Sequence, residues 1–313
     1  MRKNSVMKAA AVMMAAMMAL TACSGSGKGE ETKAAAETTA AAETKSETKA
    51  ESKEETKAGT EKDVETSKEA AAEKASAQAK AGEEEKILVA AAASLKYSYD
   101  DELIPMFEAK YPGIKVEATY DSSGKLQTQI EEGLEADVFM SAAMKQMNAL
   151  KDESMVDADS IVELLENKIV LIVPEGSDPK VTSFEDITKA DSIAVGDPDS
   201  VPAGQYAKEA LTSLGVWDEV AAKASLGTNV TEVLNWVAEG SADAGIVYAT
   251  DAATTEHVKV IAEAPEGSLA KKVIYPVGVV TASAHKDAAQ KFVEFLQSDE
   301  AAAVFEKYGF AKN

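Results

Sequence analysis

Histidine and cysteine are nearly absent from this chain, whose 313 residues include two His and one Cys. His257 and His285 stand far apart and neither belongs to a cluster with metal-ligand spacing, so neither a protein-held cation nor metal-dependent catalysis is expected. The single Cys, Cys23, leaves nothing from which to build a disulfide framework. Basic charge is scarce too: Lys and Arg total 32 against 54 Asp and Glu, a formal net charge of -22. With no basic aromatic stripe, that balance excludes a nucleic-acid binder and describes a mutually repelling surface. The apolar run Met7 to Leu20 falls short of the roughly 20 residues that a membrane span needs.

That run has another use. Arg2 and Lys3 precede it and Leu20-Thr21-Ala22-Cys23 follows it, the layout of an export signal over residues 1–23. Leu-Thr-Ala-Cys resembles the lipobox of bacterial lipoproteins, which implies cleavage before Cys23, a diacylglyceryl thioether on its sulfur and a place on the extracytoplasmic face of the cell membrane. A plain signal that happens to end in Cys is the alternative. Residues 24–85 form a low-complexity tract of Ala, Glu, Lys, Thr and Ser, with Val64 its only large aliphatic side chain. Such a tract buries too little apolar surface to offset the entropy of ordering, so a disordered tether is expected, with a reach of roughly 45 Å as a flexible coil.

From Lys86 the texture changes. Ile87 to Ala93 is a continuous apolar run, suited to a strand buried on both faces, and Leu95, Tyr99, Leu103 and Phe107 then recur at helical spacing. Ser94 sits between the two, where it serves either as a helix cap or as a ligand group. The arrangement repeats. Ile114 to Tyr120 alternates as a strand, Asp121-Ser122-Ser123-Gly124 follows, and Leu126 and Ile130 mark a helix closed by Gly133. A further strand is expected at Ala136 to Met140, a helix with Met144, Met147 and Leu150 on its core face, and a buried strand at Asn167 to Pro174.

The third junction is Gly196-Asp197-Pro198-Asp199-Ser200-Val201-Pro202-Ala203-Gly204, between a strand at Ser192 to Val195 and a helix at Gln205 to Leu214. Pro202 suits a first helical turn, and the amides of Ala203 and Gly204 have no partner within a helix. Backed by the positive end of the helix dipole, these amides read as an anion seat or as an ordinary strand-turn-helix junction. At the fourth junction, Asn229 followed by Glu232 signals a helix start that leaves the amide of Val230 free. Ala244 to Tyr248 is the next buried strand. Tyr248 ends it, where open α/β sheets keep their ligands, although a half-buried Tyr with a wet hydroxyl is also ordinary. Ile274 to Ala282 makes the last long strand, and Phe292, Phe295 and Leu296 face inward from a closing helix expected to run through Val304 and Phe305 toward Tyr308.

Small residues, hydroxyls and free amides thus recur at four strand-to-helix junctions, with no basic residue in the turns until Lys125. A site built this way holds an anion with dipoles, and rigid donors let size discriminate among tetrahedral anions. Each hydrogen bond to a charged group contributes about 1.5 to 3 kcal/mol net.

At this level of detail the chain resembles the molybdate-binding proteins of bacterial ABC importers. The resemblance runs from Lys86 to the C-terminus and rests on Ala91-Ala92-Ala93-Ser94-Leu95, on Gly196-Asp197-Pro198 with Val201-Pro202-Ala203-Gly204 and Tyr206-Ala207-Lys208-Glu209-Ala210, on Gly245-Ile246-Val247-Tyr248 with Asp251-Ala252, and on Tyr275-Pro276-Val277. It implies an α/β, two-lobed periplasmic-binding-protein-like fold with a cleft between lobes: residues 86–168 in the first lobe, 169–275 in the second, 276–313 returning to the first. It also implies a molybdate or tungstate ligand, no cofactor, a monomer, and an ABC permease and its ATPase as partners. The ligand groups fall on Ser94, Ser123, Ala203, Val230 and Tyr248, with Ser122 able to share or replace the role of Ser123. Sulfate is the rival ligand; a ferric site would need several tyrosinates or carboxylates together. Ser122-Ser123-Gly124-Lys125 also fits the Ser-x-x-Lys pattern of acyl-transfer enzymes, but its Ser-Asp-Asn and Lys-Thr-Gly companions are missing.

Overall fold

A computed structural model describes residues 84–313. The expected export signal, Cys23 and all but the end of the expected tether lie outside the described residues. The strand β1 spans Glu85–Ala92, so it begins one residue inside the expected tether, because Glu85 already pairs with Ile114. A continuous helical run over 93–110 follows, ending in α1 (Ile104–Lys110). Next come β2 (Ile114–Asp121), α2 (Ser123–Glu131), β3 (Val138–Met140), α3 (Met144–Asp152) and β4 (Val162–Asn167). β1 pairs in parallel with β2 and β3.

Alternation decides what β1 does with its small side chains. Ile87, Val89 and Ala91 face a cluster with Leu95, Tyr99, Leu103 and Phe107, while Ala90 meets Leu126, Ile130, Phe139, Met147 and Leu150 on the other face. The run is buried on both sides because helices cover both sides. On α3 the buried residues are Gln146, Met147 and Leu150, and Met144 is only partly covered; its place in the first turn leaves it at the edge of the core.

The chain leaves the first sheet at Lys168, since β5 (Ile169–Pro174) already belongs to a second sheet. The second lobe contains β6 (Ile193–Gly196), α4 (Pro202–Ser213), α5 (Trp217–Ala221), β7 (Ala224–Gly227), α6 (Val230–Ala238), β8 (Ala244–Tyr248), α7 (Ala249–Ala252) and β9 (Val258–Glu263), its strands ordered β7-β6-β8-β5-β9. The third-junction helix starts at Pro202, a turn before Gln205, because Val201 takes an extended conformation and Pro202 can open the helix.

β10 (Val273–Val279) rejoins the first sheet between β3 and β4. The first sheet then has the order β11-β4-β10-β3-β1-β2, with β11 at Ala311–Lys312. The closing helix is two helices, α8 (Lys286–Leu296) and α9 (Asp299–Lys307). Ser298 separates them by accepting a hydrogen bond from Ala301 N, a cap that the apolar pattern alone conceals. The fold is α/β and two-lobed, as expected, and each lobe is built on a mixed sheet.

Candidate functional site

Each junction presents its groups for a local reason. Ser94 lies in the tight turn that opens the 93–110 run and makes no cap bond; its Oγ instead sits 2.9 Å from Tyr275 Oη. Ser122 is the N-cap residue of α2, yet its hydroxyl caps nothing, and Ser123 is the first helical residue. Ser123 Oγ accepts from Ala142 N at 3.0 Å, which leaves its own proton to be donated elsewhere. Ala203 follows Pro202 in the first turn of α4. Asn229 caps α6 by accepting from Glu232 N at 3.0 Å, and Val230 is its first residue. The carboxylate of Glu232 accepts from Thr228 N and Thr228 Oγ1, so the expected start signal closes on itself.

The fold brings all five expected residues to one place. Ser94, Ser123, Ala203, Val230 and Tyr248 line a single cavity of about 10 Å³, together with Ala92, Ala93, Asp121, Ser122, Ala142, Val201 and Pro202. A hollow of that size holds no more than a single water, so the closed arrangement leaves no room for a sugar or a peptide. Larger hollows of about 650 and 1070 Å³ elsewhere hold none of the five. The N-termini of α2, α4 and α6 contribute residues to the lining, which places the positive ends of three dipoles at the cavity.

No Lys, Arg or His lines the cavity. Tyr248 is 1% exposed, and burial pushes its hydroxyl well above the usual phenol range, so it stays protonated as a donor. It donates to Ala142 O at 3.3 Å, a long bond that a better acceptor can replace, and the Tyr275 hydroxyl lies beside it. Ser122 Oγ is buried and has no partner.

Bonds between the lobes close around this site. Gly124 N donates to Ser200 O at 2.9 Å, Gln146 Nε2 to Gln205 Oε1 at 3.2 Å, and Asn167 Nδ2 to Thr250 Oγ1 at 2.8 Å. Tyr248 reaches Ala142 from the opposite lobe in the same way.

This architecture has known counterparts. The profile of a family described as bacterial extracellular solute-binding protein matches residues 87–311. The chain belongs to that solute-binding family. Among its relatives, the provisionally named ABC transporter substrate-binding lipoprotein YvgL of Bacillus subtilis is 41% identical over 228 residues, covering 73% of this chain and 87% of YvgL. The molybdate-binding protein ModA of Escherichia coli is 40% identical over 235 residues, covering 73% of this chain and 90% of ModA. The solved substrate-binding domain of a provisionally assigned molybdenum ABC transporter from Clostridium difficile superposes with a TM-score of 0.57 at 38% identity, covering 73% of this chain and 99% of that domain.

These relatives are solute-binding proteins of transporters, not enzymes, and the Ser-x-x-Lys geometry agrees. Lys125 Nζ turns to Asp121 Oδ1 at 3.3 Å, and Ser122 Oγ has no basic partner that would activate it. Two acidic residues, one lining this cavity and one behind it, went unread as candidates in the sequence. Asp121 lines the cavity, its Oδ1 accepting from Ser122 N at 2.7 Å as well as from Lys125. Asp251 is buried behind Tyr248, with Oδ2 unpartnered, and burial pushes its carboxyl up to about 7. In the sequence Asp121 merely precedes a helix start and Asp251 falls in a first helical turn, places that many surface acids share.

Proposed function

We propose that this protein captures molybdate outside the cytoplasm and delivers it to the permease and ATPase of an ABC importer, with tungstate sharing the site. The observation that carries the reading is the convergence of Ser94, Ser123, Ala203, Val230 and Tyr248 on one small cavity lined by hydroxyls and first-turn amides, with no cation among them. Such donors favour an oxyanion that carries no proton of its own. Kinship to ModA and to the molybdenum transporter domain supports the ligand.

The five residues act as ligand groups: the hydroxyls of Ser94, Ser123 and Tyr248 and the amides of Ala203 and Val230 donate to the anion oxygens. Closure of residues 86–168 and the return segment onto the second lobe then displays a composite surface for the permease. A thioether lipid on Cys23 anchors the monomer to the membrane; the lipoprotein designation of YvgL supports that assignment. Affinity of about micromolar or tighter suits the capture of a trace anion.

Thermal melting tests the reading. Ligand at about a hundred times Kd adds about 2.7 kcal/mol of stability. For a folded region of this size that corresponds to a rise in Tm of about 5 to 10 °C. A rise with molybdate and tungstate supports the proposal, and no rise with either contradicts it.

A further inference from the structure

Behind Ser94 a chain of hydrogen bonds leads out of the cavity to the crossing between the lobes. Tyr275, on β10, is fully buried, and its Oη lies 2.9 Å from Ser94 Oγ and 3.2 Å from Asn167 Nδ2. Asn167 is the last residue of β4, one step before the chain crosses into the second sheet. Its Oδ1 accepts from Lys168 N at 2.8 Å, which fixes the amide, because the flipped form would set two N–H groups against each other. Nδ2 therefore points inward, and its two hydrogens go to Tyr275 Oη and to Thr250 Oγ1 of the second lobe.

Directions follow from this fixed end. An amide nitrogen only donates, so Tyr275 Oη is the acceptor in its bond to Asn167 and its one proton is available to Ser94. Burial keeps that proton on Tyr275, since its hydroxyl is pushed well above the usual phenol range. Tyr248, whose ring meets Tyr275 edge-on with centroids 5.5 Å apart, gives its own proton to Ala142 O. Ser94 Oγ thus accepts from Tyr275, and the Ser94 proton turns away from Tyr275 toward the cavity. The reverse direction would leave the Tyr275 proton only the neighbouring Tyr248 hydroxyl to turn to, a poorer acceptor than the serine oxygen.

We propose that Tyr275 and Asn167 are positioning residues that hold Ser94 Oγ as a hydrogen-bond donor to the bound oxyanion, and that Asn167, by also binding Thr250, ties this orientation to closure of the lobes. The inference rests on the anion-binding reading above. Neither residue lines the cavity, so both act through Ser94.

A double-mutant cycle on the full-length protein, read by calorimetric titration with molybdate, separates this role from a merely structural one. The variants are Ser94→Ala, Tyr275→Phe and the two combined. Tyr275→Phe is expected to weaken binding about tenfold in the parent but by less than about twofold in the Ser94→Ala background, because the residue it orients is gone. Equal losses in both backgrounds, or a Tyr275→Phe protein that binds like the parent, would overturn the relay.

Asn167→Asp tests the same link without touching Tyr275. It keeps the acceptor for Lys168 N but replaces the inward donor with an acceptor, so Tyr275 donates to it and Ser94 must turn its proton back. A loss of binding that shrinks in the Ser94→Ala background supports the relay, and an undiminished loss counts against it. If the parent binds no molybdate, the anion-binding reading falls and the relay with it; if the parent binds and the cycle is additive, only the relay falls.

Discussion

Gly124 N and Ser200 O are 2.9 Å apart, and their hydrogen bond joins the start of α2 in one lobe to the loop before α4 in the other. A Cβ on Gly124 would lie 2.4 Å from that same carbonyl oxygen. The obstacle is backbone, which cannot rotate aside, so the lobes must separate to admit it. Gly124→Ala is therefore expected to weaken oxyanion binding by at least about tenfold while leaving the empty protein about as stable as before. Calorimetry paired with melting of the ligand-free protein checks both halves.

Gly204 makes the contrasting case. A Cβ there would lie 1.9 Å from Gly196 O, inside a single lobe, where α4 packs onto the end of β6. No lobe motion relieves that clash. Gly204→Ala should lower the stability of the ligand-free protein by about 1 to 3 kcal/mol or more, seen as a drop in Tm.

The serines separate by what their hydroxyls do without ligand. Ser94→Ala and Ser123→Ala should each weaken oxyanion binding by about 1 to 3 kcal/mol with the fold intact. Ser122 Oγ is buried with no partner, so Ser122→Ala should weaken binding and yet raise the melting temperature of the empty protein. Unchanged affinity with raised stability would remove Ser122 from the ligand groups.

Asp251 gives the protein a pH signature. Its carboxyl titrates at about 7 when folded, against 3.8 ordinarily, because burial disfavours the charged form. The folded state therefore holds a proton that the unfolded chain has already released, so the stability contributed is fully present below the ordinary value and is lost as pH rises through about 7. Melting followed from about pH 6 to 8 should show a decline that Asp251→Asn, which cannot ionise, flattens.

The junctions around the cavity were legible in the sequence because their chemistry is local. A Pro at a helix start, an Asn followed by Glu, and hydroxyls beside a strand end each mark a short junction, whereas the choice of Ser94, Ser123, Ala203, Val230 and Tyr248 within those junctions rested on the family resemblance; all five line the cavity. The Ser94–Tyr275–Asn167 chain was not legible, since Ser94 and Tyr275 are 181 positions apart and only the folded sheet brings them together. The strands β7 and β9 escaped for another reason: both are edge strands with largely uncovered side chains, and no apolar run marks them. The split at Ser298 shows that a helix break depends on a single hydrogen bond that apolar periodicity does not encode.

The central claim is that a cavity of hydroxyl and amide donors selects a tetrahedral oxyanion by size. The most direct measurement is calorimetric titration of the purified protein with molybdate, tungstate and sulfate in turn. One-to-one binding of the first two, with sulfate at least about a hundredfold weaker, is the predicted result. Sulfate binding as tight as molybdate, or no heat from any of the three on folded protein, would contradict it.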